Sequence, residues 1–558
     1  MKSKILFSIV VVLLFLPLAT AKTGHMKLLT VGGTGNNTQG GVADLYLEIK
    51  PGSGTIFIDS FPLTKLDTQI STRFANEIAC DFLDKDCTQY DFFYTIRAKA
   101  SIVGGPSAGA AIATLTASML SGEEIDENTV ITGTINSGGL VGPVAGIDEK
   151  IQAAARNGYT NILVPKWQSE VNVSKIQSWG LEEKITVVKV KNLQEAMYHF
   201  TSKSYSATTG NISVSHEYSS RMQDVAEMLC HRSSNISELV KDVNHTLLET
   251  SENFLNRSKS AEKIGDHYAR ASYCFSANIR LRELAMKNLT DEELKKIYSE
   301  VNSSLKEVKS ATESKSFETL SDLQTYMIVQ ERISEAENYI EVLNYTNISS
   351  NLLAYAKERL FSAVAWSEFF GMKGKIIDLN EDHLQNACLE KMSEAEERIN
   401  YVELYLPGIL GDIKSEVDSA SKYFNTRDYP LCIFKASKAK SEANILLTVL
   451  SIKEENLETV VEEKLEAARR VIVEQEQEDI FPILGYSYYE YSQSLLGHDP
   501  GSSLRFTEYA LELSKLDMYF PKKNGFDLNF NTELLKIFLF GFVVGAAVTG
   551  LIVLKRKK

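Results

Sequence analysis

The order of apolar and polar positions predicts a mixed first third of the chain, followed by a long helical remainder. The run from Tyr94 to Val103 reads as a strand, and Ala108 to Ser121 repeats apolar residues at helical spacing. Gly146 to Gly158 predicts a second helix that ends at a C-cap glycine. The apolar stripe of the first helix consists of Ile112, Leu115, Met119 and Leu120.

The pattern changes after residue 200. Residues 201–215 are polar and small, with little periodicity, and are predicted to be a linker. Residues 216–520 are charged, rich in Ala and Leu, and helix-periodic, which predicts an all-helical domain. A diverged repeat within it, at 260–284 and 419–446, is typical of tetratricopeptide-like hairpins, and a plain antiparallel bundle explains the same pattern.

Both ends of the chain carry apolar segments. Residues 1–21 have the basic, apolar and Ala-x-Ala regions of a signal peptide, with cleavage expected after Ala21. Residues 534–554 are predicted to be a transmembrane helix after a juxtamembrane segment at 521–533. The basic tail at 555–558 then predicts a single-pass protein of the cell membrane, with the tail cytoplasmic and the catalytic and helical domains extracytoplasmic.

The composition of the chain limits which ligands and partners are expected. A net charge of −14 argues against nucleic acid, and no Cys/His cluster suggests a metal site, so neither a metal nor a cofactor is predicted. Ten Asn-x-Ser/Thr sequons would permit glycosylation of an exported protein. Six cysteines allow three disulfides, and sequence spacing favours the pairs below over free buried thiols. The predicted pairs are Cys80–Cys87, Cys230–Cys274 and Cys388–Cys432.

Ser107 is the first candidate for chemistry. It lies in Gly-Gly-Pro-Ser-Ala-Gly at a junction between the predicted strand and helix, where unpaired N–H groups would stabilise an oxyanion. The small neighbours Gly105, Pro106 and Ala108 would allow a substrate backbone to approach. Alternatively, the serine only caps the helix.

Lys150 is the second candidate. It falls on the apolar stripe of the helix at 146–158, which consists of Ile147, Ile151, Ala154 and Ala155. A lysine at such a position is unusual, and burial would lower its pKa so that it could serve as a base. The alternative is that its side chain extends from the edge of the stripe to solvent.

Four separated motifs give these residues a context. They are Gly105-Pro-Ser-Ala-Gly109, Ile131-Thr-Gly133, Gly142-Pro-Val-Ala-Gly-Ile-Asp-Glu-Lys-Ile151 and Ile162-Leu-Val-Pro-Lys166. In order and spacing they resemble the proteolytic domain of the Lon protease family, over about residues 26–200. The resemblance implies an α/β (α+β) domain in a multidomain chain.

The resemblance also implies roles for individual residues. Ser107 would be the nucleophile and Lys150 the general base of a Ser-Lys dyad, and Thr132 would orient the lysine. The chain departs from the family pattern at Gly105, where many members carry an acidic residue, and at Thr134, where glutamate is common. These departures bear on specificity and activation.

Two other functions stay open. Gly105-Pro-Ser-Ala-Gly109 also fits the nucleophile elbow of α/β-hydrolases, but residues 26–198 contain no histidine, so an esterase would need a distal one. A catalytically silent cell-surface binding scaffold would carry the same sequence motifs.

The chain contains no phosphate-binding loop, so the ATPase module of typical Lon proteases is absent from it. The sequence therefore predicts an ATP-independent serine endopeptidase that acts on unfolded or exposed polypeptide segments. The resemblance further implies a homo-oligomer, since Lon relatives form rings.

Overall fold

The computed structural model describes most of the chain, and the account below is confined to that part. The described residues are 22–32, 39–61, 63–98, 105–167, 185–205, 210–240, 246–343, 345, 348–404, 406–520, 541 and 545.

A mixed α/β region forms the first part of the chain. Its strands are β1 (Lys22–Gly32), β2 (Gln39–Pro51), β3 (Ile56–Phe61), β4 (Tyr90–Ala98), β5 (Thr129–Ile131), β6 (Thr134–Asn136), β7 (Leu140–Gly142), β8 (Asn161–Pro165) and β9 (Thr186–Val190). Its helices are α1 (Leu66–Phe82), α2 (Gly109–Ser121), α3 (Ile147–Arg156) and α4 (Leu193–Thr201).

Three sheets organise this region. The largest has the order β1-β2-β4-β3, antiparallel except for the parallel pair β3 and β4. A parallel sheet has the order β5-β8-β9, and β6 and β7 form an antiparallel hairpin. On β2, Leu45, Leu47 and Ile49 are buried and alternate with more exposed residues, which is the period of a strand with one covered face.

Helix α2 lies at the centre of the α/β region. All of its residues except Ser121 are buried, including the apolar stripe predicted from the sequence. It begins at Gly109 and ends before Gly122, whose φ of 77° is left-handed, as is common after the last turn of a helix. The predicted helix is therefore confirmed, and its start is the point at which Ser107 is held.

The second part of the chain is helical, as predicted. Its helices are α5 (His216–Val240), α6 (Thr246–Ile264), α7 (His267–Met286), α8 (Asp291–Glu313), α9 (Leu320–Val342), α10 (Ser350–Trp366), α11 (Glu381–Glu403), α12 (Gly411–Asn425), α13 (Tyr429–Ser451), α14 (Leu457–Gln477), α15 (Ile483–Leu495) and α16 (Pro500–Ser514). Side-chain caps start several of them; for example, Thr290 and Glu293 form a capping box at α8.

Disulfides join corresponding helices of two three-helix units. Cys230–Cys274 links α5 to α7, and Cys388–Cys432 links α11 to α13, with Cα atoms 5.0 and 5.8 Å apart. Cys80–Cys87 joins the end of α1 to the turn before β4. The structure contains all three predicted pairs, and the shared placement of the two longer links agrees with the predicted repeat.

The helical part packs directly on the α/β part. Ile70 of α1 belongs to one apolar cluster with Ile399 of α11 and Leu447 of α13. Glu77 of α1 accepts hydrogen bonds from Arg398 (2.9 Å) and Lys440 (2.6 Å) on the same two helices. These contacts fix α11 and α13 beside the start of α1.

The predicted single-pass membrane location is wrong by this structure. None of the helices in the described ranges is both long and apolar enough to cross a bilayer. Most of the long helices carry charged residues among the apolar ones because each buries one face, and the uncharged α2 has only 13 residues, whereas a span needs about 20 mainly apolar residues. The predicted span at 534–554 lies outside the described residues except at Gly541 and Gly545, and the segments 1–21, 521–533 and 555–558 lie outside them entirely.

Candidate active site

Ser107 is held in a single turn of 3₁₀ helix, Pro106–Ala108, immediately before α2. The turn begins at Gly105, whose φ of 100° and ψ of 153° belong to a region that side chains other than hydrogen rarely allow. The Gly105 N–H donates to the Asp67 carboxylate (3.0 Å), and the Thr68 hydroxyl donates to the Gly105 carbonyl (3.4 Å). The start of α1 thus fixes the approach to Ser107.

Lys150 lies in the first turns of α3, after Gly146, which has a left-handed φ of 66°. The helix buries Ile147, Ile151 and Ala154 of the predicted stripe, whereas Ala155 is only half-buried. Lys150 is buried with them at 1% exposure. The prediction that this lysine faces the core is confirmed, and the alternative of an extended, solvated side chain is excluded in this structure.

Thr132 connects the two candidates. The Lys150 ammonium nitrogen donates to the Thr132 hydroxyl (3.2 Å), and that hydroxyl donates to the backbone carbonyl of Ser107 (3.4 Å). The N–H of Gly133 donates to the same carbonyl (3.1 Å). Two consecutive residues between β5 and β6 therefore tie the Ser107 turn to the lysine.

Gly133 is required by packing. A Cβ atom at this position would lie 2.5 Å from Val141 Cγ1 and 3.3 Å from Ala110 Cβ. Any side chain would push β5–β6 away from β7 and α2 and would lengthen the bond to the Ser107 carbonyl. The Thr-Gly pair therefore has a positioning function in both of its residues.

Burial lowers the pKa of Lys150 from 10.5 to about 8. Desolvation is the cause because removal from water disfavours the charged amine. No carboxylate of the described residues forms an ion pair with this lysine to oppose the effect. A substantial fraction of the amine is therefore neutral, and able to accept a proton, near pH 8.

Ser107 and Lys150 line one cavity of about 580 Å³. Its volume falls in the range typical of ligand-binding clefts. The other lining residues are Val31, Gly105, Pro106, Thr134, Asn136, Pro143, Val144, Ala145, Tyr401, Leu447 and Leu450. Pro143, Val144 and Ala145, noticed in the sequence only as part of a motif, thus supply part of the cavity wall.

The residues predicted to contact an oxyanion or substrate backbone differ in what they offer. The Gly105 N–H is already bonded to Asp67, and Pro106 has no N–H. Neither is an oxyanion donor in this arrangement, although both line the cavity. Ala108, the third, ends the 3₁₀ turn and is the N-cap of α2, where backbone N–H groups of a new helix lack intrahelical acceptors.

Thr134 occupies the position at which the resemblance leads us to expect glutamate. Its side chain lines the cavity, and its buried hydroxyl oxygen has no hydrogen-bond partner among the described residues. The cavity therefore has no carboxylate at this position beside Lys150, and the Thr134 hydroxyl oxygen is enclosed by protein atoms close to Gly142.

Sequence reasoning missed several residues of the site. Asp67 anchors Gly105 from 38 positions away along the chain, and nothing in the local pattern signals this contact. Tyr401, Leu447 and Leu450 come from the helical part and line the cavity. They read as ordinary apolar positions of amphipathic helices, so only the packing of the two parts reveals them.

The family model of the Lon protease (S16) C-terminal proteolytic domain matches residues 82–202. The match contains Ser107, Thr132 and Lys150 in the motifs described above. The chain carries a Lon-type proteolytic domain. This match supports a serine protease function for the α/β part, with the mostly helical part following it.

Individual relatives agree with the family match. The chain is 29% identical to a Lon protease of Fervidobacterium nodosum over 164 residues, which is 29% of this chain and 20% of the relative. It is 40% identical to Lon protease 2 of Borreliella burgdorferi over 91 residues, 16% of this chain and 11% of the relative. The chain thus spans about a fifth or less of these relatives, and the similarity concerns the Lon-type domain alone.

Proposed function

We propose that this protein is an ATP-independent endopeptidase that hydrolyses polypeptides through Ser107 and Lys150. The observation that carries the proposal is the buried Lys150 amine, bonded to Thr132, in the same cavity as Ser107. A serine hydroxyl becomes an effective nucleophile when a nearby base removes its proton. A desolvated lysine with a pKa of about 8 is such a base.

The reaction proceeds by acyl transfer. Neutral Lys150 takes the proton of the Ser107 hydroxyl as its oxygen attacks the peptide carbonyl carbon. Backbone N–H groups of the turn that holds Ser107 stabilise the oxyanion. The Lys150 ammonium then gives its proton to the departing amine, which breaks the C–N bond. Lys150 then removes a proton from water, and the resulting hydroxide attacks the acyl carbon. As the bond from this carbon to the Ser107 oxygen breaks, the Lys150 ammonium returns the proton to that oxygen.

Thr132 is a positioning residue in this mechanism. It accepts the lysine hydrogen bond and holds the carbonyl of Ser107, so that one hydroxyl fixes the distance between base and nucleophile. Small errors in such a distance are costly because proton transfer and attack require close contact.

The cavity chemistry weighs against the histidine-dependent esterase. Among the described residues that line it there is no histidine, whereas the lysine is present. The binding scaffold would keep the cavity but would not need a lysine buried without an acidic partner, an arrangement that costs stability.

Hydrolysis of casein by the purified protein without ATP tests the proposal. Wild type, Ser107→Ala and Lys150→Met are compared at pH 8.5, with fragments followed by mass spectrometry. We expect cleavage by wild type and loss of at least about a thousandfold in both variants. Cleavage that persists in Lys150→Met would refute the dyad, and a folded wild type that cleaves nothing would favour the scaffold.

A further inference from the structure

One wall of the cavity does not come from the Lon-type domain. Tyr401 lies near the end of α11, and Leu447 and Leu450 lie near the end of α13. All three lie far beyond residues 82–202, to which the family match is confined. We infer that this helical wall selects the substrate, and that it favours polypeptide segments with aliphatic side chains. The inference rests on the proposed function and names its substrate class.

The wall is built as a fixed surface. Tyr401 and Leu447 are 5% and 6% exposed and belong to the apolar cluster that includes Ile70 of α1. Ion pairs from Glu77 of α1 to Arg398 and Lys440 hold the same two helices. Because α1 also anchors Gly105 through Asp67, the same helix holds both the wall and the Ser107 turn in position.

The chemistry of the wall fits an aliphatic side chain. Leu450 lines the cavity yet remains 46% exposed, so apolar surface is left for a ligand to cover. Among the described lining residues, the one charged side chain is Lys150. A substrate ammonium would therefore lose water without gaining an opposite charge, and a carboxylate would find one only at Lys150, away from the helical wall, so that neither is favoured against the wall itself.

Two further aliphatic residues follow Tyr401 closely in the chain. Leu404 and Ile409 are 47% and 64% exposed. They add exposed apolar surface after the wall residue of α11, and covering such surface with a bound polypeptide is favourable.

Binding to the full-length Ser107→Ala protein tests the inference without requiring catalysis. Three fluorescent peptides differ only at one central position, which is Leu, Asp or Lys, and their affinity is measured by fluorescence polarisation. We expect the leucine peptide to bind about tenfold or more tightly than either charged peptide. Equal affinities for the three peptides would overturn the inference.

The neighbouring aliphatic residues Val449 and Leu450 supply a control and a test variant. Leu450→Asp, made in the Ser107→Ala background, is expected to abolish the preference for leucine, and Leu450→Lys to favour the aspartate peptide. Val449→Asp is the control because Val449 is 50% exposed but does not line the cavity. Equal effects of the two aspartate substitutions would also overturn the inference.

Cleavage of the same peptides by the protein with Ser107 intact separates the two proposals. Selective binding without cleavage would reject the proposed function and leave the helical wall as a recognition surface. Cleavage of all three peptides at equal kcat/KM, with equal binding, would reject substrate selection by the helical wall and support the proposed peptidase function.

Discussion

The Lys150 ammonium nitrogen lies 3.2 Å from the Thr132 hydroxyl oxygen, inside a protein core that offers this lysine no acidic partner among the described residues. The same hydroxyl bonds the Ser107 carbonyl. Thr132 thus links the Lys150 amine, whose pKa is lowered by burial, to the backbone of Ser107.

The pH dependence of hydrolysis should report the pKa of Lys150. Because the base must be neutral, kcat/KM should rise with pH through about 8 and level off above it. The measurement is a pH profile of peptide hydrolysis, with circular dichroism at each pH to confirm that the protein stays folded. A rising limb near pH 6.5 instead would point to a histidine base.

Lys150→Met should stabilise the protein at neutral pH. The folded pKa of about 8 lies below the ordinary value of 10.5, so protonation favours the unfolded chain. The cost is fully present below pH 8, shrinks as pH rises, and is gone above 10.5. At pH 7 the free energy of unfolding should therefore increase by up to about 3 kcal/mol.

Urea denaturation at pH 7 and at pH 10.5 checks this effect. Lys306→Met is the matched control because Lys306 is an exposed lysine on α8, and its substitution should change stability by no more than about 0.5 kcal/mol. A gain for Lys150→Met that is the same at both pH values would contradict the explanation by burial.

Thr132→Val should impair catalysis although the new side chain has nearly the same shape. Loss of the hydroxyl removes the acceptor of the lysine amine and one of the two donors to the Ser107 carbonyl, so we expect kcat to fall about 10- to 100-fold. The rising pH limb should also move below its wild-type position, since the ammonium loses a hydrogen-bond acceptor.

Thr132→Ser keeps the hydroxyl and is the control for the positioning role. It should retain most of the wild-type kcat and the wild-type pH limb. A Thr132→Ser protein as impaired as Thr132→Val would show that the methyl group matters, through packing, rather than the hydrogen bonds.

The fully buried pair Lys464–Glu508 should be needed for stability. The Lys464 amine contacts Glu508 (2.5 Å) and the Ser137 hydroxyl (2.7 Å), which in turn donates to Glu508 (2.8 Å). Lys464→Met would leave a buried carboxylate without its cation and should lower the free energy of unfolding by about 3–5 kcal/mol.

Replacing both members of the pair distinguishes a missing charge from lost packing. Lys464→Met with Glu508→Leu should be less destabilising than Lys464→Met alone, measured by urea denaturation. Lys453→Met removes the solvent-exposed pair with Glu455 and should have little effect. If the double variant is less stable than Lys464→Met alone, the uncompensated charge of Glu508 does not explain the loss of stability.

The three disulfides should differ in their contribution according to the loop that each one closes. Cys230–Cys274 and Cys388–Cys432 are 44 residues apart in sequence, and Cys80–Cys87 is 7 apart. Chain entropy predicts losses of about 4 kcal/mol for each longer link and about 2.5 kcal/mol for the short one when both cysteines become alanine. Thermal unfolding of the three double variants ranks them, and a largest loss for Cys80–Cys87 would contradict this order.

Sequence patterns anticipated the local structure of the site well. The helix that begins beside Ser107 and the helix that buries Lys150 follow from the spacing of apolar residues, which depends only on neighbours along the chain. The cysteine pairing followed from sequence spacing and is present in the structure. The predicted single-pass membrane location was wrong by the structure, since none of its described helices is apolar along a sufficient length.

The sequence by itself determined the helices beside Ser107 and around Lys150, the helical character of residues 216–520, the Lon-type motifs and the candidate residues Ser107, Thr132 and Lys150. Only the tertiary structure decided what surrounds them. Asp67 holds Gly105, and Tyr401, Leu447 and Leu450 close the cavity, through contacts between segments far apart in the chain. Such contacts depend on how two amphipathic surfaces pack, and a helical apolar stripe looks the same whether it faces a core or a substrate.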